Sequence, residues 1–289
     1  MLDLVIDNRP HDLGHGFTVR RILPFHRRRM VGPFIFLDHA GPLDLPGSER
    51  RKADVRPHPH IGLATVSYLF DGQITHRDSL GVEQVIVPGE VNWMTAGRGI
   101  SHSERLELPP SGEARPIELI QSWCALPEAD EEVEPAFANH KAQDLPVAEA
   151  DGVWMRLIAG AAYGLKSPVA VRSPLFYLHV ALKPSSELKL PQEYAERGAY
   201  IAKGRVEVDG RVYEAGQLLV FGGVDDPVIR ALDAATLMVF GGEKLGERHI
   251  YWNFVSSRKE RIEQAKADWK AGRIKLPPND NKEFIPLPD

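Results

Sequence analysis

"RPHPHIGLATVSYLFDGQITHRDSLG", residues 56–81, carries both the fold signal and the first chemical signal of the chain. The run "ATVSYLF" is β-branched and aromatic and stops at Asp71-Gly72, the pattern of a strand closed by a turn. Similar short runs, each ended by Gly, Pro, Asn or Asp, recur about every eight to twelve residues, a spacing that marks an all-β sandwich or barrel rather than alternating strands and helices. They include "EQVIVPG", "EVNWMTAG", "LFYLHVALKP", "AYIAKG", "RVEVDG", "QLLVFGG" and "ATLMVFGG". The exception is "SSRKERIEQAKADWKAG" near the C-terminus, which reads as one helix. Ser257 and Glu260 have the spacing of a capping box, Ile262, Ala265 and Trp269 fall on one face, and Gly272 ends it.

Ahead of the strand stand His58 and His60, and 44 residues beyond His58 comes "HSE", His102 to Glu104. Residues i and i+2 of a strand point to the same side, so each triplet presents two metal-capable groups in one direction. Two neighbouring strands can then bring three imidazoles and a carboxylate to one interior point, a donor set that suits Fe, Mn, Co, Ni, Cu or Zn better than Ca or Mg. Pro59 suits a strand end or an edge, since it has no N–H for a central ladder. Gly97 and Gly99 mark a tight turn before the second pair. His39, His76, His140, His179 and His249 lack a partner at ligand spacing and read as surface residues or as supports behind the ligands.

With 289 residues, 43% of them hydrophobic and 26% charged, the chain has the composition of a globular protein with room for two domains. Its net charge of −5 argues against direct nucleic-acid binding, and Arg27, Arg28 and Arg29 read as a solvated loop. The lone Cys124 forms no internal disulfide and reads as buried filler beside Trp123, which fits a reducing, cytoplasmic setting. Neither a signal-type N-terminus nor a membrane-length apolar stretch is evident, so a membrane location is not expected. An acidic, irregular stretch sets the expected boundaries: an N-terminal metal-binding domain at 1–130, a linker at 131–150 and a C-terminal domain at 151–289 that includes the helix.

The two halves repeat weakly. Aligned on Gly72 and Gly204, His58-Pro59-His60 falls opposite Leu190-Pro191-Gln192; aligned on Gly89 and Gly216, His102 and Glu104 fall opposite Ile229 and Ala231. The second half therefore lacks every candidate ligand.

Beyond the metal-binding core "RPHPHIGLATVSYLFDGQITHRDSLG" and "PGEVNWMTAGRGISHSE", the stretches "VGPFIFLDHAGP" (31–42), "WNFVSS" (252–257) and "EFIPLP" (283–288) complete a set of dispersed motifs in order. Together they resemble the pirin family of the cupin superfamily nearly end to end. The resemblance implies a bicupin, two antiparallel jelly-roll β-barrels with a C-terminal helix, with iron held by His58, His60, His102 and Glu104 in the first barrel only. The glutamate that usually follows HxH in cupins is replaced here by Ala64, so the carboxylate must come from Glu104. The resemblance further implies a quercetin 2,3-dioxygenase type of activity, in which a flavonol or similar aromatic enol is opened by O₂ with Glu104 as general base. It equally admits a non-enzymatic, redox-sensitive regulator that binds another protein; a metal-dependent isomerase or hydrolase lacks an identifiable proton-transfer residue. Phe34, Phe36 and Trp93 are candidates to line a pocket for a flat substrate, although aromatic residues in such cores more commonly pack.

Overall fold

The computed structural model describes residues 2–13, 18–46, 49–108, 112, 116–223 and 227–288. The chain is a bicupin: antiparallel strands throughout, arranged in two jelly rolls, with a single α-helix, Lys259–Lys270, among the described residues. Each jelly roll is a pair of sheets rather than a closed ring of strands. None of the helices is long and apolar enough to cross a membrane.

Two compact units interleave along the chain. One comprises residues 1–10, 20–39 and 143–244, the other 11–19, 40–142 and 245–289. Linear bounds at 130 and 150 differ from this division in one respect that bears on the site: the C-terminal segment packs with residues 40–142. The cause is apolar. Ile262, Ala265 and Trp269 lie on the buried side of the helix and join Ile61 and Phe254 in one hydrophobic cluster, so that face is covered within this unit.

In the second unit a four-stranded sheet runs in the order Val55–His60, Ile100–Arg105, Ile74–Asp78, Glu83–Ile86. Val55–His60 is its edge strand, which accommodates Pro59 as the sequence suggests. The larger sheet places Ala136–His140, Val91–Thr95, Leu63–Asp71 and Ile117–Ala125 side by side. The stretch 131–150, read as a linker, is thus partly built into the sheet: Phe137 pairs with Met94 and Asn139 with Asn92. Its strand is short, acidic on both flanks and at the sheet edge, which hides it from a search for apolar alternation. Gly97 has φ +51° and lies against the Val133 carbonyl, so a side chain there would collide with backbone.

The first unit repeats the design. Its smaller sheet runs Glu187–Lys189, Val228–Ala231, Arg205–Val208, Arg211–Glu214, the same order of neighbours as the histidine-bearing sheet. Ile229 pairs with Leu188 as His102 pairs with His58, so Leu188 takes the place of His58, two residues from the Leu190 of the sequence alignment; Leu188, Leu190, Ile229 and Ala231 are all buried in an apolar core.

The helix start departs from the expected capping box. Arg258 occupies the cap position and makes no side-chain cap bond. Ser257 is engaged elsewhere: its N–H donates to Glu131 Oε1 at 2.7 Å and its hydroxyl to Oε2 at 3.1 Å, while Ser256 donates to Oε2 at 2.8 Å. Gly272 ends the helix as expected, with φ +65°. Glu131 is 2% exposed and also pairs with Arg248, 4% exposed, at 3.1 Å. Replacing Glu131 by Ala leaves that guanidinium with backbone carbonyls but no counter-charge and should cost about 3–5 kcal/mol in urea unfolding; a loss below about 1 kcal/mol would show that the pair does not matter.

Candidate metal centre

His102 sits directly opposite His58 across the pairing of their two strands, and Ile100 opposite His60. The strand period then turns all three imidazoles to one side. One ring nitrogen from each lies within 4.8 Å of the others, and all three residues are buried. Burial lowers the pKa of each: that of His58 to about 4, and those of His60 and His102 well below the usual imidazole value, with mutual repulsion among the rings as the second cause for these two. Neutral imidazoles keep their lone pairs, the form a metal ion binds.

Hydrogen bonding fixes the tautomers. His58 Nδ1 donates to the Arg56 carbonyl at 2.9 Å, so its Nε2 is the free donor atom. His76 Nε2 donates to the Asp78 carboxylate at 3.0 Å, which leaves His76 Nδ1 to accept from His102 Nδ1 at 3.2 Å. His102 Nε2 is then a lone pair, and it lies 3.2 Å from His60 Nε2. No bond holds the His60 proton at Nδ1, so a proton on His60 Nε2 satisfies this contact, and a cation bound by both rings satisfies it equally. The residues therefore fit a metal ion: a site of three imidazoles with a built outer layer of Arg56, His76 and Asp78.

Glu104 lies on the same strand as His102, but a register irregularity falls between them, and Glu104 pairs with Val55 and His76 rather than extending the histidine set. Its carboxylate stays outside the group of donor atoms within 4.8 Å. Burial raises its pKa, opposed by His76 and by the Ser67 hydroxyl, which donates to Oε1 at 3.1 Å.

A search for metal-ligand pairs passes over His76: its carboxylate partner Asp78 stands two residues on in the same strand, whereas His102 and Phe137 reach it from other strands. The aromatic walls differ too. Trp123 is edge-on to His60 at 5.1 Å, and Phe137 stacks on His76 at 4.4 Å. Of the three expected pocket residues, Phe34 packs on Tyr177 and Phe240 in the other unit's core and Phe36 lies under Arg21. Trp93 is out of place for a simpler reason: it alternates with Asn92 and Met94, whose side chains take the face shared with Ser67 and Thr65. Cys124 is buried as expected and its thiol pKa is pushed up by desolvation, which makes it unreactive. His39, also buried, bonds to the Tyr200 hydroxyl at 2.9 Å within the other unit.

A two-jelly-roll chain with imidazoles clustered in one roll and apolar side chains in the other defines a bicupin with a single candidate metal centre among the described residues. Residues 16–124 match the Pirin family and residues 177–275 the Pirin C-terminal cupin domain; the chain belongs to the pirin family. It is 57% identical to a pirin-like protein of Caulobacter vibrioides over 100% of both chains. It is 34% identical to a pirin-like protein of Solanum lycopersicum, covering 92% of this chain and 89% of the other. Among solved structures, a quercetin 2,3-dioxygenase from Acinetobacter baumannii aligns with a TM-score of 0.90 at 32% identity, over 99% of this chain and 95% of that one.

Removing a ligand and loosening its support should separate by magnitude. His58→Ala and His102→Ala should lose bound metal by elemental analysis, whereas His76→Phe should keep a site weakened about 10- to 100-fold; full occupancy in the alanine variants would rule the centre out. For the metal-free protein, imidazoles with depressed pKa values stabilise the fold above the unfolded value and lose that contribution as pH falls. The thermal midpoint should therefore fall from about pH 6.5 down toward about 4, the value for His58, and this slope should be shallower in His58→Gln.

Proposed function

We propose that the protein is an iron-dependent dioxygenase of the quercetin 2,3-dioxygenase type, acting on a flavonol or similar aromatic enol with O₂. What supports this reading is the composition of the walls around the three histidines. Trp123 and Phe137 offer flat apolar surfaces, and a buried carboxylate, Glu104, stands beside them. An interior built only to sense the oxidation state of a metal for a protein partner has no use for this combination. The likeness to the Acinetobacter baumannii enzyme points the same way.

In this reading His58, His60 and His102 hold the ion, with Glu104 as a fourth ligand or as a neighbour released when substrate enters. Iron, when bound, supplies a redox-active centre and a Lewis acid that acidifies a coordinated hydroxyl; Mn, Co, Ni, Cu or Zn suit the same donors. Glu104 takes the enol proton. The Ser67 hydroxyl stands between Glu104 Oε1, at 3.1 Å, and Gln121 Oε1, at 2.8 Å. Burial raises the proton affinity of this carboxyl toward that of its partner, the condition under which general-base catalysis is efficient. Trp123 and Phe137 stand on one wall of the interior and make it apolar at both ends.

Iron-loaded protein mixed with quercetin should bleach the flavonol absorbance in air and leave it unchanged under nitrogen. Glu104→Gln should slow the decay about 10²- to 10⁴-fold. Decay that is absent, or equally fast without oxygen, would overturn the assignment.

A further inference from the structure

The wall of the larger sheet carries two adjacent rows of side chains. Phe137, Met94, Thr65 and Trp123 are successive cross-strand partners, and so, one level along, are Asn139, Asn92, Ser67 and Gln121. Directly paired residues share a face. That face is the one toward the histidines: Phe137 lies against His76, Trp123 against His60, and Ser67 reaches Glu104.

The amide orientations in the polar row follow from what each neighbour can accept. Glu90, which also pairs with Lys141 at 3.0 Å, takes a hydrogen bond from Asn139 Nδ2 at 3.3 Å. The same nitrogen donates to Asn92 Oδ1 at 2.9 Å. Asn139 thus presents only N–H groups to its two neighbours, and Asn92 must turn its oxygen toward Asn139 and its nitrogen away. That nitrogen, on a residue 3% exposed, has no hydrogen-bond partner among the described residues. A buried amide donor left unpaired costs stability, and here nothing in the folded chain offsets the cost. Asn139 and Glu90 moreover hold the group in the orientation that leaves it open.

We infer that Asn92 is a substrate-positioning residue, whose Nδ2–H donates to an acceptor oxygen, a carbonyl or an oxyanion, of a flat aromatic substrate lying along the Phe137–Trp123 row. This rests on reading the interior as a substrate site and adds to that reading the polarity of its recognition. The row asks for an acceptor at Asn92 and a donor at Glu104, the two ends of a deprotonating hydroxy-carbonyl unit. A substrate with N–H or C–H in place of the acceptor leaves the amide unpaired and is rejected.

The test is binding under nitrogen, where no turnover occurs. Iron-loaded wild type, Asn92→Leu and Asn92→Asp are titrated into quercetin and, separately, into 4-nitrocatechol, with the shift in ligand absorbance giving Kd. Asn92→Asp keeps the side-chain size and the oxygen that Asn139 needs, and so serves if the leucine variant does not fold. Both variants should retain iron and, at a temperature below their own thermal midpoints, bind each probe about 10- to 100-fold more weakly. Under air, the loss should fall on KM more than on kcat for quercetin. Wild-type affinity for both probes in iron-replete Asn92→Asp would overturn the role, as would failure of the wild type to bind either. Oxygen-independent quercetin decay combined with weakened binding in the variants would instead sink the dioxygenase reading and leave Asn92 as a ligand-positioning residue.

Discussion

Everything at this site depends on one cross-strand register, His102 opposite His58. Strand side chains alternate, so a slip of one residue would send the histidines outward and bring Ser101, Ser103 and Arg105 in. The outer face is fixed against such a slip. Ser101 donates to the Lys275 carbonyl at 2.6 Å, Ser103 to Asp280 at 2.6 Å, and Arg105 to Asp280 at 2.7 Å and Glu283 at 3.1 Å. The segment after the helix is therefore a strap on the back of the histidine strand, anchored by the helix whose apolar face is covered in the same compact unit. The motif "EFIPLP" at the end of the chain thus bears on the site through register: Glu283 meets Arg105, and the Ile285 N–H donates to the Pro57 carbonyl next to His58.

What the sequence disclosed and what it hid divide along the range of the interaction. His58-His60 and His102-Glu104 are legible because a period of two is local, and the turn residues around them, Asp71-Gly72 and Gly97, are local as well. The apolar face of the helix, Ile262, Ala265 and Trp269, is legible on the same grounds. Phe137, Trp123 and Asn92 have their roles from pairing between strands that are distant in sequence, and nothing in their own neighbourhoods announces it; His76 has a local mark in Asp78 two residues on, but its place behind His102 is again a matter of pairing between strands. Phe137 is the extreme case, since it sits in a stretch whose acidity argued for a solvated linker and yet stacks on His76. The capping box failed for a related reason: Ser257 and Glu260 have the right spacing, but the buried Glu131, far off in sequence, already binds Ser257.

The other jelly roll shows how much of a metal site lies outside its ligands. Its smaller sheet keeps the same strand order, and Val206 is the partner of Ala231 as His76 is of Glu104. Val208, two residues along the same strand, takes the place that Asp78 has relative to His102, and both valines are buried among apolar neighbours. Ligands and outer layer have thus been exchanged together for a continuous hydrophobic core. Restoring histidines at Leu188, Leu190 and Ile229 alone would bury imidazoles with no carboxylate behind them to set the tautomer, which burial penalises and metal affinity does not reward. In the histidine-bearing roll the chain from Asp78 through His76 to His102 does that work, aiming Nε2 of His102 inward. The candidate centre is accordingly a property of three adjacent strands and their back-side strap, and the two triplets are its visible part.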